Sequence, residues 1–395
     1  MNRLAARVSS LTPSVTLAVA AKAKALKMKG VDVCSLSTGE PDFDTPLVIK
    51  QAAKAALDRG ETKYGPVSGQ PLLRELIAQK HARDNGLAYA AEHVLVTNGG
   101  KQALYNLTMA LINPGDEVLI PAPYWLSYPE MVSLAGGVSV FLPTTEATDF
   151  KITADQLEQA ITSRTRLLVL NSPSNPTGMI YTRAELAALA EVLVRRDLLV
   201  VSDEIYEKLI YDDVRHYSIG SLGDEIFART ILCSGFSKAY AMTGWRLGYL
   251  AGPLDIIKAA SAIQSHSTSN VAAYSQAGAI AALQDPTVPG EVERMVKVFA
   301  ERRLVMYEGL LKIPGIRCAR AQGAFYLFAD IQASGLDSGT FCERLLDEVQ
   351  VAAVPGLAFG SDTHIRLSYA TDTLTITRGL ERLEQFMKSC LTVRT

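Results

Sequence analysis

Cysteine is scarce in this chain: the five, Cys34, Cys233, Cys318, Cys342 and Cys390, are odd in number and widely scattered. Such a pattern excludes a disulfide framework and a metal knuckle, so no metal site is expected and the thiols read as reduced, in a cytoplasmic compartment. No uninterrupted apolar run reaches the length needed to span a bilayer. An excess of one charge is also lacking. With 39 Lys plus Arg against 41 Asp plus Glu, no overall field calls for nucleic acid or an anionic membrane as partner. Internal repeats, low-complexity tracts and long charge blocks are absent. Near the start, Arg3 and Arg7 precede V-T-L-A-V-A-A. This run is short, contains Thr16 and leads into Lys22, Lys24 and Lys27 on an amphipathic helical pattern, so it is not read as an export signal.

What the chain does contain is an alternation of short apolar strands and helices. At 395 residues it exceeds one ordinary domain and predicts two or three structural units. The runs V-L-V-T (94–97), V-L-I-P, L-L-V-L-N (167–171), L-L-V-V-S-D (198–203), T-I-L-C and R-L-G-Y-L-A-G read as strands. After Thr182, a capping-box pair with Glu185, apolar Leu186, Leu189 and Leu193 on one face and Arg195-Arg196 at the end predict a helix. Strands apolar on both faces belong in a sheet covered by helices, which makes a mostly parallel α/β unit. Ligands of such sheets collect at the carboxyl ends of the strands.

Chemistry-bearing residues stand at those ends. Gly99-Gly100-Lys101 opens a helix, where backbone N–H groups can meet a phosphate; alone, Gly-Gly before a helix is a common turn. Asn175 lies in N-S-P-S-N-P-T-G, itself a good turn. Asp203 and Tyr206 follow the strand L-L-V-V-S; the bland alternative for the acid is a helix cap. Lys238 lies in S-G-F-S-K-A-Y-A-M-T-G-W-R-L-G-Y, among small residues after a buried strand. A lysine at such a strand end can form a Schiff base with an aldehyde once burial or a neighbouring cation lowers its pKa. Arg366, in I-R-L-S-Y-A-T, points opposite to Ile365 and Leu367 by strand alternation. Its guanidinium matches a carboxylate bidentately, although a solvated strand residue is the plainer reading.

These motifs, together with T-G-E-P-D-F-D-T-P, Y-G-P-V-S-G, P-A-P-Y-W, Q-G-A-F-Y-L-F and V-P-G-L-A-F-G, run through essentially the whole chain. The sequence resembles the class I pyridoxal-phosphate-dependent aspartate aminotransferases, specifically the bacterial and plastid branch that includes enzymes acting on prephenate. The resemblance implies the type I fold of pyridoxal-phosphate enzymes. A large domain near residues 46–284 would carry a mostly parallel seven-stranded sheet. A smaller α/β domain would combine residues 1–45 with 285–395, joined at P-T-V-P-G.

By position, the resemblance makes Lys238 the lysine that carries pyridoxal 5′-phosphate and Asp203 the partner of its ring nitrogen. Tyr206 and Asn175 would bond the ring oxygen and Trp125 would stack on the ring. Gly100, Lys101 and Arg246 would surround the phosphate, which Tyr64 would reach from the partner subunit of a homodimer. Gly39 and Arg366 would hold the substrate α-carboxylate. Lys101 would also take a distal carboxylate, and with Thr16 of P-S-V-T it is linked to prephenate use. One departure is Gly235, where many relatives have a serine three residues before the lysine; Ser237 or backbone groups are expected to compensate. The implied reaction is ping-pong transamination of aspartate or glutamate with 2-oxoglutarate or oxaloacetate, with prephenate as a further acceptor. Alternatives are an aminotransferase for aromatic, alanine or kynurenine-type substrates and a lyase or cyclopropane-carboxylate synthase of the same fold. A nicotinamide dehydrogenase lacks support, since no strand leads into G-x-G-x-x-G.

Overall fold

The structure, a computed structural model, describes residues 4–9 and 11–392. Arg3 therefore lies outside the described residues. The described residues form thirteen strands: β1 (Cys34–Ser35), β2 (Val94–Thr97), β3 (Glu117–Ala122), β4 (Val138–Pro143), β5 (Thr165–Asn171), β6 (Leu199–Asp203), β7 (Thr230–Gly235), β8 (Gly248–Ala251), β9 (Arg317–Cys318), β10 (Tyr326–Asp330), β11 (Val351–Ala352), β12 (Val354–Pro355) and β13 (His364–Ser368).

Seven of them make the main sheet, in the order β2-β8-β7-β6-β5-β3-β4. Parallel pairing runs from β4 through β3, β5 and β6 to β7, while β8 is antiparallel to both β7 and β2. The mostly parallel seven-stranded α/β sheet expected from the apolar runs is thus present. Every residue of β2, β7 and β8 is buried, because helices cover both faces. The edge strand β4 is half exposed, and its mixed pattern is not a continuous apolar run.

The helix Arg183–Arg195 shows how local sequence fixes an element. The Thr182 hydroxyl accepts from the Glu185 amide, and the Glu185 carboxylate accepts from the Thr182 amide at 2.7 Å. Both satisfy donors that a helix start leaves over. Its buried face is Leu186, Leu189 and Leu193, as the spacing predicts.

A second, four-stranded antiparallel sheet has the order β12-β13-β10-β9. Helices Val288–Leu311, Ser338–Val349 and Thr373–Thr392 pack around it in a core that includes Phe299, Phe325, Phe341, Phe386 and Met387 and also takes in Tyr206, Leu209 and Tyr211. The N-terminal segment joins this part through a short parallel pair, β1 with β11. Between the two sheets, the helix Ala273–Gln284 ends just before Pro286 and the next begins at Val288. Among the described residues, no helix is long and apolar enough to cross a membrane.

Candidate active site

One cavity of about 570 Å³ opens at the carboxyl ends of β5, β6 and β7 and the start of helix Gly100–Leu111. It collects Thr16, Gly39, Gly100, Lys101, Trp125, Asn175, Asp203, Tyr206, Ser237, Lys238, Arg246 and Arg366, which the sequence scatters over more than three hundred positions. Of the residues to which the resemblance gives a cofactor or substrate contact, Tyr64 does not line it and has 93% of its surface exposed.

The floor is anionic. Asp203 ends β6, is 5% exposed and accepts a 2.7 Å hydrogen bond from the Tyr128 hydroxyl. Burial pushes its carboxyl up to about 6, a shift that the Tyr128 bond only partly opposes. No helix starts at Asp203, so the capping alternative falls. Tyr128 stands in the first turn of helix Ser127–Leu134, and sequence reading did not assign it a role.

Opposite this acid is an amine. Lys238, beyond the end of β7, donates from Nζ to the Gly39 carbonyl at 2.6 Å, and the rings of Phe325 and Tyr206 lie 5.7 and 6.0 Å away. Burial and then the Arg366 charge lower its pKa to about 8. An amine with that value is available as a base near neutral pH.

Arg366 sits on β13 and is 3% exposed, which removes the reading of a solvated strand residue. It donates to Asn175 Oδ1 at 2.9 Å and to the Ser37 carbonyl at 3.2 Å, and its buried Nε has no partner. The Tyr326 ring lies 4.3 Å from the guanidinium carbon, and the Tyr326 and Tyr206 hydroxyls are 3.0 Å apart. Tyr326 therefore fixes two site residues together. Its motif Q-G-A-F-Y-L-F was visible in the sequence, but its place beneath Arg366 was not.

A glycine-lined cradle lies at the rim. Gly99 has φ of +82°, a conformation that favours glycine, and a Cβ there would lie 2.7 Å from Arg246 Nη2. On the facing strand, a Cβ at Gly248 would lie 2.4 Å from the Gly100 nitrogen. Two glycines thus allow a helix N-terminus and a guanidinium to converge, the donor set an oxyanion needs. Arg246 itself takes a left-handed φ of +52° and donates to the Thr243 carbonyl at 2.9 Å. Lys101 lies over the Trp125 ring at 5.1 Å, its pKa lowered by partial burial and by Arg246. Gly235 has a packing cause: a Cβ would come 2.8 Å from Gly248 Cα, so serine does not fit this backbone.

A family model described as aminotransferase class I and II matches residues 31–383. The aspartate aminotransferase of Geobacillus stearothermophilus is 50% identical over 392 residues, 98% of this chain and 99% of that protein. An aspartate/prephenate aminotransferase of Cereibacter sphaeroides is 46% identical, covering 96% of this chain and 97% of its own. The solved aspartate aminotransferase from Thermus thermophilus with maleate superimposes with a TM-score of 0.94 at 44% identity, over 98% of this chain and all of that one. The chain belongs to the class I and II aminotransferases.

Proposed function

We propose that the protein is a pyridoxal-phosphate-dependent aspartate and glutamate transaminase working with 2-oxoglutarate and oxaloacetate, and that prephenate is a further amino acceptor. The observation that carries this reading is the convergence on one cavity of an amine with lowered pKa, a buried acid and a buried arginine. The glycine-lined cradle at Gly99, Gly100 and Arg246 fits the cofactor's phosphate, and buried Asp203 fits a protonated ring nitrogen. Once bound, the cofactor supplies an electron sink for the bonds at the substrate's Cα.

The chain's own residues do the rest. Lys238 Nζ holds the cofactor between turnovers and removes the proton from substrate Cα. Asp203 would keep a positive charge at the ring nitrogen, with Tyr128 holding its carboxylate. Asn175 and Tyr206 would hold the ring oxygen, Trp125 would cover the ring and Ser237 would serve the phosphate. Arg366 and Gly39 orient the α-carboxylate, and Arg366 Nε, buried without a partner, is a donor available to that acceptor. Lys101 takes the distal carboxylate and Thr16 belongs to the prephenate-binding side.

In this reading, residues 46–284 form the cofactor-holding unit and 1–45 with 285–395 the smaller one, which is supported by a core around the four-stranded sheet drawn mainly from residues 295–390. The exposed Tyr64, outside its own chain's cavity, supports a homodimer in which it serves the partner subunit's site, and the scattered buried thiols support a cytoplasmic setting. Steady-state rates with aspartate, glutamate, alanine and prephenate test the reading, and absence of oxaloacetate from aspartate would overturn it. Lys101→Met should cost aspartate roughly 1.5–3 kcal/mol in kcat/KM while sparing alanine. An equal loss on alanine removes Lys101 from the specificity role.

A further inference from the structure

The helix Val15–Met28 lies along the mouth of the cavity and presents one face to it: Thr16, Leu17, Ala20, Ala23, Lys24 and Lys27. Their spacing of three and four is that of a single helical stripe, so Lys24 and Lys27 are on the same side as the substrate-facing Thr16. Another lysine of this helix, Lys22, is off the stripe and pairs with Asp347 at 2.8 Å. Among the described residues, no carboxylate stands within ion-pair distance of Lys24 or Lys27.

The lining as a whole is unbalanced. Lys24, Lys27, Lys101, Lys238, Arg246 and Arg366 oppose two carboxylates, Glu40 and Asp203. The inner four cations have assignments in the function proposed above, on which this inference rests. The outer two have none. Cations at the mouth of a cleft with low-dielectric walls raise the local concentration of anions there.

We propose that Lys24 and Lys27 form a charged gate selecting dicarboxylic substrates by their extra negative charge before any inner contact is made. At neutral pH aspartate carries one net negative charge and alanine none, while 2-oxoglutarate carries two. The gate therefore acts most on the dicarboxylic 2-oxo acid, less on the dicarboxylic amino acid and not on alanine. Exposed charge pairs contribute little to equilibrium stability, so the gate acts on capture and KM and leaves kcat unchanged. Salt weakens it, since the screening length falls to about 8 Å at physiological ionic strength.

The test uses the cofactor-loaded enzyme and a Lys24→Gln/Lys27→Gln variant at low and high ionic strength. At low salt the variant should lose roughly three- to tenfold in kcat/KM for 2-oxoglutarate, with kcat unchanged and alanine unaffected, and the deficit should shrink at high salt. Calorimetric titration with succinate, an unreactive dicarboxylate, should show weaker binding with a flatter salt dependence. A Lys24→Arg/Lys27→Arg variant should behave as the parent, which separates charge from damage to the helix. Matching salt profiles for parent and glutamine variant would overturn the gate, as would a loss of the same size on alanine. If the parent does not transaminate aspartate, the function reading fails; if it does and the variants match it, only the gate fails.

Discussion

Two neighbouring carboxylates, Asp203 and Glu204, are both buried and are shifted in opposite directions. Strand alternation sends them to opposite faces at the end of β6. Asp203 faces the cavity with one side-chain donor, Tyr128, and its carboxyl rises to about 6. Glu204 faces away and accepts from the Ser202 and Ser218 hydroxyls at 2.7 and 2.6 Å and from His216 Nε2 at 2.9 Å. Those partners, His216 foremost, hold it below the ordinary range despite burial, and Glu204 in turn raises the His216 pKa. Beside it, Glu207 pairs with Lys80 and accepts from Asn85, while His81, lowered to about 4 by burial, is neutral and lies between Asn85 and Tyr249. Glu204, Glu207 and His216 have a geometry that could hold a metal ion, but Lys80 already pairs with Glu207, and His216, its pKa raised by Glu204, bonds that acid. Buried charges paired from within the chain maintain the fold. Asp203, Lys238 and Arg366, which have hydrogen bonds but no ion-pair partner among the described residues, line the cavity instead.

Mutation should separate the two sets, and the largest effect belongs to the unpaired one. Lys238→Ala should lose nearly all turnover, several orders of magnitude at about 1.4 kcal/mol each, while the protein folds normally. Near-normal turnover in single-turnover assays would end the assignment. The paired set should answer with stability instead. Lys80→Met removes the basic partner of Glu207, and His216→Ala that of Glu204, leaving only neutral donors; each should cost about 3–5 kcal/mol, read as a lower denaturant midpoint at unchanged slope. Turnover per folded molecule should stay near that of the parent. If midpoints hold and turnover falls, the inner cluster belongs to the site after all.

The same distinction explains what could be read in advance. The main sheet was legible because its central strands are continuous apolar runs; β4 was not, since V-S-V-F-L-P is broken by Ser139 and ends in a proline, and β1 with β11 are two residues each. The site was legible through long motifs around Lys238, Asp203 and Arg366. Tyr128 and Tyr326 were missed because their partners are 75 and 120 positions away, and no local spacing records such contacts. The Glu207–Lys80 pair spans 127 positions and was hidden for the same reason.

A smaller effect, of opposite sign for the two acids, should appear in the stability of the cofactor-free protein. For Asp203 the folded pKa is about 6 against an ordinary 3.8, so the folded state binds more protons between these values and stability falls as pH rises through them. Asp203→Asn removes that penalty and should stabilise the protein at pH 7 by about 3 kcal/mol, with the gain vanishing below about pH 4. Glu204 is lowered, so its contribution is present above the ordinary 4.5 and is lost as pH falls through the folded value. Glu204→Gln should therefore destabilise at pH 7, by an amount that shrinks on acidification. Urea titrations across pH check both, and parallel curves for the two variants would abolish the contrast.

The smallest change tests why Asp203 is not shifted further. Tyr128→Phe deletes its one side-chain donor without changing the ring, and a hydrogen bond to a charged group contributes roughly 1.5–3 kcal/mol. The carboxylate form loses that support while burial stays, so the midpoint of the Asp203 titration should move above 6 by about one unit or more. It is read from the pH at which the growing stability difference between Tyr128→Phe and Tyr128→Phe/Asp203→Asn levels off. Turnover should fall less than in Asp203→Asn, because a bound cofactor's ring nitrogen would itself stabilise the carboxylate. An unmoved midpoint would mean that Tyr128 only fills space, and that the Ile205 amide, which donates to Asp203 at 3.3 Å, is the contact that keeps this acid ionisable.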